Sequence, residues 1–159
     1  HTYDYKVSEH REVMDGMYNY DAVMDVQWPF GAGLSYTTFE YSNLTVSAES
    51  FGPEDELTFT VDVKNTGSVA GKESVLLYSS DLVASLMPDV KRLRAFTKVE
   101  LQPGESTTVT LTVPAKRLAF VNAEGKWTIE EGDFRFAAGG LGIMAKCTET
   151  KVWKEQNIY

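Results

Sequence analysis

A strict period of two in the apolar residues constrains the fold of this chain more than any other feature. Apolar and polar side chains alternate from Leu57 to Lys64, and again through TTVTLTVP, where Val109, Leu111 and Val113 occupy every second position. Successive side chains of a β-strand point to opposite faces of a sheet. The pattern therefore predicts strands with one buried face and one solvated face, as in an antiparallel sheet covered on one side.

Turn-forming residues separate further segments of the same kind. The first segment after Leu34 changes face near Asn43, whereas KESVLLYSSD is apolar on both faces and is predicted to be central or covered. The closing segment IMAKCTETKVW is predicted to pair at an edge. The predicted apolar anchors of these strands are Phe39, Tyr41, Leu44, Val46, Ala48, Val75, Leu77, Leu93, Phe96, Val99, Leu101, Phe120, Trp127, Ile129, Phe134 and Phe136.

About seven short strands with regular turn signals, and no helical period, are typical of an all-β antiparallel sandwich. Both an immunoglobulin-like and a fibronectin type III-like sandwich fit this pattern. Cys147 is the only cysteine, so the disulfide that bridges the two sheets of antibody domains cannot form. The fibronectin type III-like variant is therefore favoured.

The first 27 residues differ from the rest because they lack sustained apolar alternation. We expect a leader or inter-domain segment at residues 1–27 and a sandwich domain at residues 28–159. In WPFGAG, the Pro and the two Gly residues predict a sharp chain reversal. Aromatic and Met side chains gather here without strand or helix period, which predicts a contact with a neighbouring domain. The predicted contact residues are Tyr18, Tyr20, Met24, Trp28 and Phe30.

Charge and hydropathy exclude two classes of partner. The 159 residues carry 15 basic and 23 acidic side chains, a net charge of −8, and a negative field repels the phosphates of nucleic acids. No apolar run reaches the roughly 20 residues that a membrane-spanning helix needs. The N-terminal residues are too polar for a signal peptide. We therefore expect neither a nucleic-acid partner nor a membrane partner.

Two acidic clusters are the strongest candidates for catalysis. A glycosidase needs two carboxyl groups about 5 to 9 Å apart across a sugar-sized cleft. The clusters, however, fall in predicted hairpin turns, where carboxylates usually cap backbone amides or remain solvated. The sequence therefore assigns them no catalytic role. They consist of Glu54, Asp55 and Glu56, and of Glu130, Glu131 and Asp133.

No other residues form a catalytic, cofactor or metal constellation. His1 and His10 lack a nucleophile motif and metal-ligand spacing. GAG is followed by a strand-like segment, and not by the helix that a phosphate-binding loop requires. A lone cysteine such as Cys147 is expected to be an ordinary strand residue. We predict no metal and no cofactor.

The sequence suggests two possible relations to carbohydrate, covalent glycosylation and sugar binding. Asn43, Leu44 and Thr45 form an N-glycosylation sequon, which is meaningful only in a eukaryotic secretory pathway. Exposed aromatic rings can also stack on sugars. Trp127 alternates like a core residue and Trp28 lies beside Pro29, so a core or interface role is favoured over a sugar platform.

Four separated motifs carry a family resemblance. WPFGAGLSYTTFEYSNL, VDVKNTGSVAGKESVLLYSSD, VKRLRAFTKVELQPGESTTVTLTV and WTIEEGDFRFAAGG occur in this order over residues 28 to 140. Together they resemble the C-terminal fibronectin type III-like domain of family-3 glycoside hydrolases, the β-glucosidase and β-xylosidase group. YNYDAVMDVQWPFG is similar to the segment that arrives from the preceding α/β domain in this family.

The resemblance implies a function without a catalytic residue in this chain. In the family, the nucleophilic Asp and the acid/base Glu belong to upstream domains, and the parent is a retaining glycosidase. The implied partners are those upstream catalytic domains, and the implied location is periplasmic or secreted. The implied role is that of a non-catalytic accessory domain in carbohydrate breakdown. The alternative is a stand-alone carbohydrate-binding or adhesion module that recognises a polysaccharide.

Overall fold

The computed structural model describes residues 12–14, 17–18, 33–83, 85 and 91–154. The chain forms two compact units, His1–Leu34 and Ser35–Tyr159. In the first unit, strands β1 (Glu12–Met14) and β2 (Met17–Tyr18) pair in antiparallel fashion. The division at residues 27 and 28 stays a prediction.

The second unit is a β-sandwich, which confirms the predicted all-β class. The order β3-β5-β8 forms one sheet, β4-β12-β11-β6-β7 forms a second, and β13-β10-β9 forms a small third sheet. The only helix in the described part of the chain is one 3₁₀ turn, Ala115–Leu118. The strands are β3 (Phe39–Val46), β4 (Ser50–Phe51), β5 (Glu56–Asn65), β6 (Gly71–Asp81), β7 (Arg92–Leu101), β8 (Ser106–Pro114), β9 (Phe120–Val121), β10 (Trp127–Ile129), β11 (Gly132–Ala138), β12 (Leu141–Cys147) and β13 (Lys151–Val152).

The core lies between the two larger sheets, where the alternating residues of the sequence predict it. On β5, every second side chain from Leu57 to Val63 is at most 1% exposed. The rings of Phe59 on β5 and Phe136 on β11 approach to 4.6 Å between centroids, which joins the two sheets directly. Fully burying an aliphatic or aromatic side chain contributes roughly 1.5 to 3 kcal/mol. The period of two in the sequence therefore corresponds to burial of every second side chain in the core.

The predicted change of face in the first strand is a β-bulge. The pairing of β3 with β5 shifts register between Ser42 and Thr45, and Asn43 adopts a positive φ of 54°. Asn tolerates this left-handed conformation better than most residues because its short polar side chain can form local hydrogen bonds. The bulge brings Leu44 and Val46 back against the core, where both are partly buried.

Two predicted core residues, Leu93 and Phe96, are instead exposed, to 40% and 71%. Both lie on β7, an edge strand of the five-stranded sheet. Phe96 pairs with Leu76 across the two strands, on the opposite side of the sheet from the buried neighbours of Leu76. The register shift between β6 and β7 leaves Arg94 as the extra residue of a bulge. The bulge breaks the alternation and puts Leu93 out of phase with Val99 and Leu101. Phe96 lies in the regular part of the pairing and faces outward between Ala95 and Thr97, so its apolar character alone misplaced it.

Two other segments differ in detail from the sequence-based expectation. LAFVNAEGKWTIE forms two short strands instead of one, because Asn122 closes a turn by accepting hydrogen bonds from the amides of Glu124 (3.0 Å) and Lys126 (2.9 Å). The closing segment contributes β12, which lies between β4 and β11 and is therefore second from the edge. Its end forms β13, which pairs with β10.

A buried amide at Asn65 ties together segments that are distant in sequence. Its Oδ1 accepts hydrogen bonds from the Thr37 hydroxyl (2.7 Å) and the Gly67 amide (3.0 Å). Its Nδ2 donates to the carbonyls of Val69 (2.8 Å) and Leu101 (3.0 Å). All four hydrogen-bonding positions of the amide are filled, as a side chain with 0% exposure requires.

Gly139 closes the β11–β12 hairpin under two independent constraints. Its φ is +55°, a region that side chains rarely adopt. A Cβ atom at this position would lie 2.0 Å from Cγ of Tyr41. The Tyr41 ring is held there by a 2.8 Å hydrogen bond from its hydroxyl to the Glu73 carboxylate. Burial, followed by this bond to Glu73, raises the pKa of the Tyr41 hydroxyl, so the group stays protonated and remains a donor.

Candidate functional site

The predicted inter-domain contact residues fall almost entirely outside the described residues. Tyr18 belongs to β2, and nothing is described of its side chain. Tyr20, Met24, Trp28 and Phe30 lie outside the described residues altogether. The contact between these residues and a neighbouring domain stays a prediction.

The first acidic cluster is engaged in local interactions. Glu54 forms an ion pair with Lys151 and accepts a 3.3 Å hydrogen bond from the indole of Trp153. The bond from Lys151 holds the pKa of the exposed Glu54 carboxyl below its usual range. Asp55 accepts a hydrogen bond from the Gly52 amide at 2.7 Å. These carboxylates stabilise a turn and its contact with β13.

The second acidic cluster is arranged in the same way. The Glu130 carboxylate accepts a hydrogen bond from the Ser85 amide at 2.7 Å, and Glu131 lies 3.9 Å from the ammonium group of Lys146. Asp133 is exposed on β11. The structure thus places Glu54, Asp55, Glu130 and Glu131 in connections between strands, where their partners are backbone amides, surface lysines and the Trp153 indole. Glu56 and Asp133 lie at the starts of β5 and β11.

The remaining chemical candidates also have structural partners. Cys147 is buried, its thiol donates a 3.3 Å hydrogen bond to the Glu149 carbonyl, and burial raises the pKa of the thiol. A neutral buried thiol is a poor nucleophile. Within residues 12–14, 17–18, 33–83, 85 and 91–154, no group of three or more His, Cys, Asp or Glu residues could hold a metal ion. His1 and His10 lie outside these residues.

Neither tryptophan within the described residues is displayed as a flat sugar platform. Trp127 and Trp153 are partly buried and pack against the core cluster. The sequon residue Asn43 is exposed, and its amide donates a 2.8 Å hydrogen bond to Asp62. Asp62 also accepts from the Thr108 hydroxyl at 2.6 Å, and these two bonds lower the pKa of its carboxyl.

The most distinctive surface of the described residues is one that the sequence analysis missed. Side chains that point away from the core on the five-stranded sheet form an apolar face. Phe96 is paired with Leu76, and Leu93 with Tyr78, on adjacent strands. The apolar face consists of Leu76, Tyr78, Leu93, Phe96, Ala137 and Met144.

A shallow groove with a volume of about 320 Å³ adjoins the apolar face. Tyr78 lines it, and the Nζ atom of Lys91 lies 3.9 Å from the centre of the Tyr78 ring, in cation–π contact. Arg135 supplies a second cation, and no carboxylate is found among the described residues that line the groove. The charged side chains among the described lining residues, Lys91 and Arg135, are thus both positive, although the chain as a whole carries −8.

Comparison with known proteins identifies the domain. Residues 73–141 match the family model of the fibronectin type III-like domain. A lysosomal beta glucosidase of Dictyostelium discoideum is 42% identical over 138 residues, which cover 79% of this chain and 17% of that protein. A periplasmic beta-glucosidase of Salmonella typhimurium is 38% identical and covers 70% of this chain and 15% of that protein. The chain contains a fibronectin type III-like domain.

The solved structures agree with this assignment. The structure of beta-glucosidase 3B from Thermotoga neapolitana superposes with a TM-score of 0.73 at 34% identity, covering 81% of this chain and 18% of that one. The resemblance to family-3 glycoside hydrolases and the fibronectin type III-like fold are therefore confirmed. The fibronectin type III-like chain spans 15 to 17% of the length of the two curated relatives.

The matched region of the fibronectin type III-like domain contains most of the apolar face. Residues 73–141 include β7, β11 and nearly all of β6. Among the side chains of the apolar face, Met144 alone lies beyond the matched range. In the described residues, no helix is long and apolar enough to cross a bilayer.

Proposed function

We propose that this chain is a non-catalytic accessory domain of a β-glucosidase-type glycoside hydrolase, in which it packs against the catalytic part of the same polypeptide. The observation that carries the proposal is the unequal coverage of the match. The Dictyostelium relative aligns with 79% of this chain, but the alignment covers only 17% of that relative. Most of the length of a relative named a beta glucosidase therefore lies outside the aligned region.

The local chemistry of the acidic residues supports a non-catalytic role. Retaining and inverting glycosidases need two carboxyl groups facing each other across a cleft. Glu54 is bound to Lys151 on β13, and Glu130 is bound to the backbone amide of Ser85. We infer that the parent enzyme hydrolyses a β-glycoside by the retaining mechanism, with its nucleophile and its acid/base residue in the rest of the polypeptide.

An activity assay tests the non-catalytic role. The purified chain and the parent enzyme are incubated at equal molar concentration with an aryl β-glucoside. We expect turnover by the parent and none above background by the chain. Turnover by the chain that is abolished by Glu54→Gln or Glu130→Gln would refute the proposal, because it would place a catalytic carboxyl within these residues.

The packing role is proposed to involve the predicted contact residues of the leader. Tyr18, Tyr20, Met24, Trp28 and Phe30 combine apolar area with a position next to the sandwich domain in the sequence. Replacing Trp28 and Phe30 together with Ala in the parent enzyme is expected to lower its melting temperature and to split its unfolding into two transitions. An unchanged single transition would count against these residues as the contact.

Calorimetry distinguishes the accessory role from the alternative function, a polysaccharide-binding module. The partly buried positions of Trp127 and Trp153 disfavour it, because sugar-stacking rings must be accessible. Titration of the chain with soluble β-glucans and xylans is expected to give no heat of binding. Millimolar or tighter binding would favour the module over the accessory role.

A periplasmic or secreted location is proposed for the parent enzyme. One relative is named as lysosomal and another as periplasmic, and both names refer to compartments outside the cytoplasm. Fractionation of the source cells, with an antibody against this chain, tests the location. Recovery of the parent enzyme in the cytoplasmic fraction alone would contradict it.

A further inference from the structure

The two outward surfaces of the sandwich differ in chemistry. The sheet of β3, β5 and β8 presents threonines and other polar side chains, many of which bond to each other. Thr45 and Thr60 share a 2.6 Å hydrogen bond between hydroxyls, and Thr108 donates to Asp62. No large exposed hydrophobic residue lies on these three strands, which the structure describes in full. We call this surface the threonine face; it includes Thr45, Thr58, Thr60, Thr108, Thr110 and Thr112.

The apolar face on the opposite side leaves large side chains in contact with water. Phe96 is 71% exposed, Met144 is 45% exposed and Leu93 is 40% exposed. Phe96 and Leu93 are cross-strand partners of Leu76, which is partly buried, and of Tyr78, which is only 7% exposed. Phe96 and Leu93 therefore supply most of the exposed area of this patch. A contiguous apolar patch rimmed by polar residues is typical of a surface that another protein surface covers.

The rim of the apolar face carries positive charge. Lys91 lies over the Tyr78 ring, Arg135 pairs with Met144 across β11 and β12, and Lys98 follows Phe96 on the same side of β7. On the same side of the sheet, Glu100 forms a 3.5 Å ion pair with Lys72 and Asp133 lies opposite Lys146. The cations beside the apolar face therefore favour a partner surface of opposite sign.

We propose that the apolar face docks onto the part of the parent polypeptide that lies outside this chain, against a surface with an apolar centre and an acidic rim. This inference rests on the proposed accessory function and names the surface by which the domain would pack. The relatives supply a suitable occupant, because 83 to 85% of their length lies outside the match. The threonine face, on which Thr45 bonds to Thr60 and Thr108 bonds to Asp62, remains in water.

Thiol accessibility at two matched positions tests the assignment. Phe96→Cys lies on the apolar face and Thr110→Cys on the threonine face, and both residues are exposed on strands, so neither change opens the core. The native Cys147 is 0% exposed and gives little background. The rate of maleimide modification is measured for each variant in the folded 159-residue chain and in the intact parent enzyme, with unfolded protein as the reference.

We expect modification of Phe96→Cys to be at least tenfold slower in the parent than in the chain, and modification of Thr110→Cys to be equal in both. Any result in which Phe96→Cys is not slowed more than Thr110→Cys overturns the assignment. If Thr110→Cys alone is slowed, the domain packs through the other sheet and the proposed function survives. If neither is slowed, the packing role fails as well.

A second copy of this chain is the competing occupant, and the same experiment detects it. Protection of Phe96→Cys in the isolated chain that increases with protein concentration would identify a dimer contact and overturn docking onto the parent. We expect the rate in the isolated chain to be independent of concentration.

Discussion

Replacing Asn65 with Ala should reveal how much of the stability depends on one buried amide. The change removes four hydrogen bonds, of which the bonds with the Thr37 hydroxyl and the Leu101 carbonyl are buried. A buried polar group left without a partner costs about 1 to 3 kcal/mol. The bonds with Gly67 and Val69 are only partly buried, so water can replace the amide there. The two buried groups alone give an expected loss of about 3 kcal/mol.

The loss can be measured by urea unfolding of the chain, followed by tryptophan fluorescence. About 3 kcal/mol corresponds to a decrease of roughly 10 °C in melting temperature for a domain of this size. Thr66→Ala is the matched control, because the hydroxyl of Thr66 bonds to Thr38 in an exposed position; its cost should stay within about 0.5 kcal/mol. A loss below about 1 kcal/mol for Asn65→Ala, at an unchanged slope with urea, would refute the reasoning.

Three further predictions concern strain and charge. Gly139→Ala should lower the free energy of unfolding by about 3 kcal/mol, because it adds a steric clash to an unfavourable positive φ. Gly140→Ala, at a position with a positive φ but open space, should lower it by about 1 kcal/mol. Equal losses for the two variants in urea unfolding would contradict the clash. Burial raises the pKa of Asp81, so its charged form opposes folding and stability rises as the pH falls through that pKa. Asp81→Asn should therefore raise the melting temperature at pH 7 but not at pH 3, and an equal gain at both would exclude ionisation as the cause. Because the pKa of Glu54 is lowered, its ion pair with Lys151 stabilises the fold at neutral pH, and this stabilisation is lost as the pH falls through that pKa. Lys151→Met should raise the Glu54 pKa in an NMR titration. An unmoved pKa would exclude the ion pair as the cause of the shift.

The alternating strands could be predicted from the sequence because both faces of β5 and β8 obey one rule. Each buried position except Asn65 carries an apolar side chain, and nearly every solvated position carries a polar one. Burial alone therefore determines the register. The face change at Asn43 was predicted for the same reason, because the apolar residues on either side of it are out of phase.

The faces of β7 could be predicted only in part, because its inward face carries Ala95 and Thr97 beside Val99 and Leu101, and its exposed face carries Phe96. Ala95 and Thr97 point inward, where they pair with Leu77 and Val75. The inward pattern becomes visible only when Ala and Thr are counted as core residues. An apolar side chain on an exposed face gives the same sequence signal as one in the core, so the apolar face was missed.

The role of Asn65 was also invisible in the sequence, where NTGSVAG indicates only a turn. The feature that makes this Asn structural is its bond to the Leu101 carbonyl, 36 residues away. Sequence periodicity reports neighbours along one strand and contains no information on such a distant partner. The inter-domain contact residues are a different case, since the described residues do not test them.

The pairing of β4 with β12 has a consequence for biosynthesis. These strands run in parallel, and the bond between the Thr148 hydroxyl and the Phe51 carbonyl spans 97 residues. At about 5 to 20 residues per second of translation, the ribosome releases β12 roughly 5 to 20 seconds after β4. During that interval Phe51, which is 2% exposed in the folded domain, lacks its partner strand, so the speed of elongation sets how long this side chain stays uncovered.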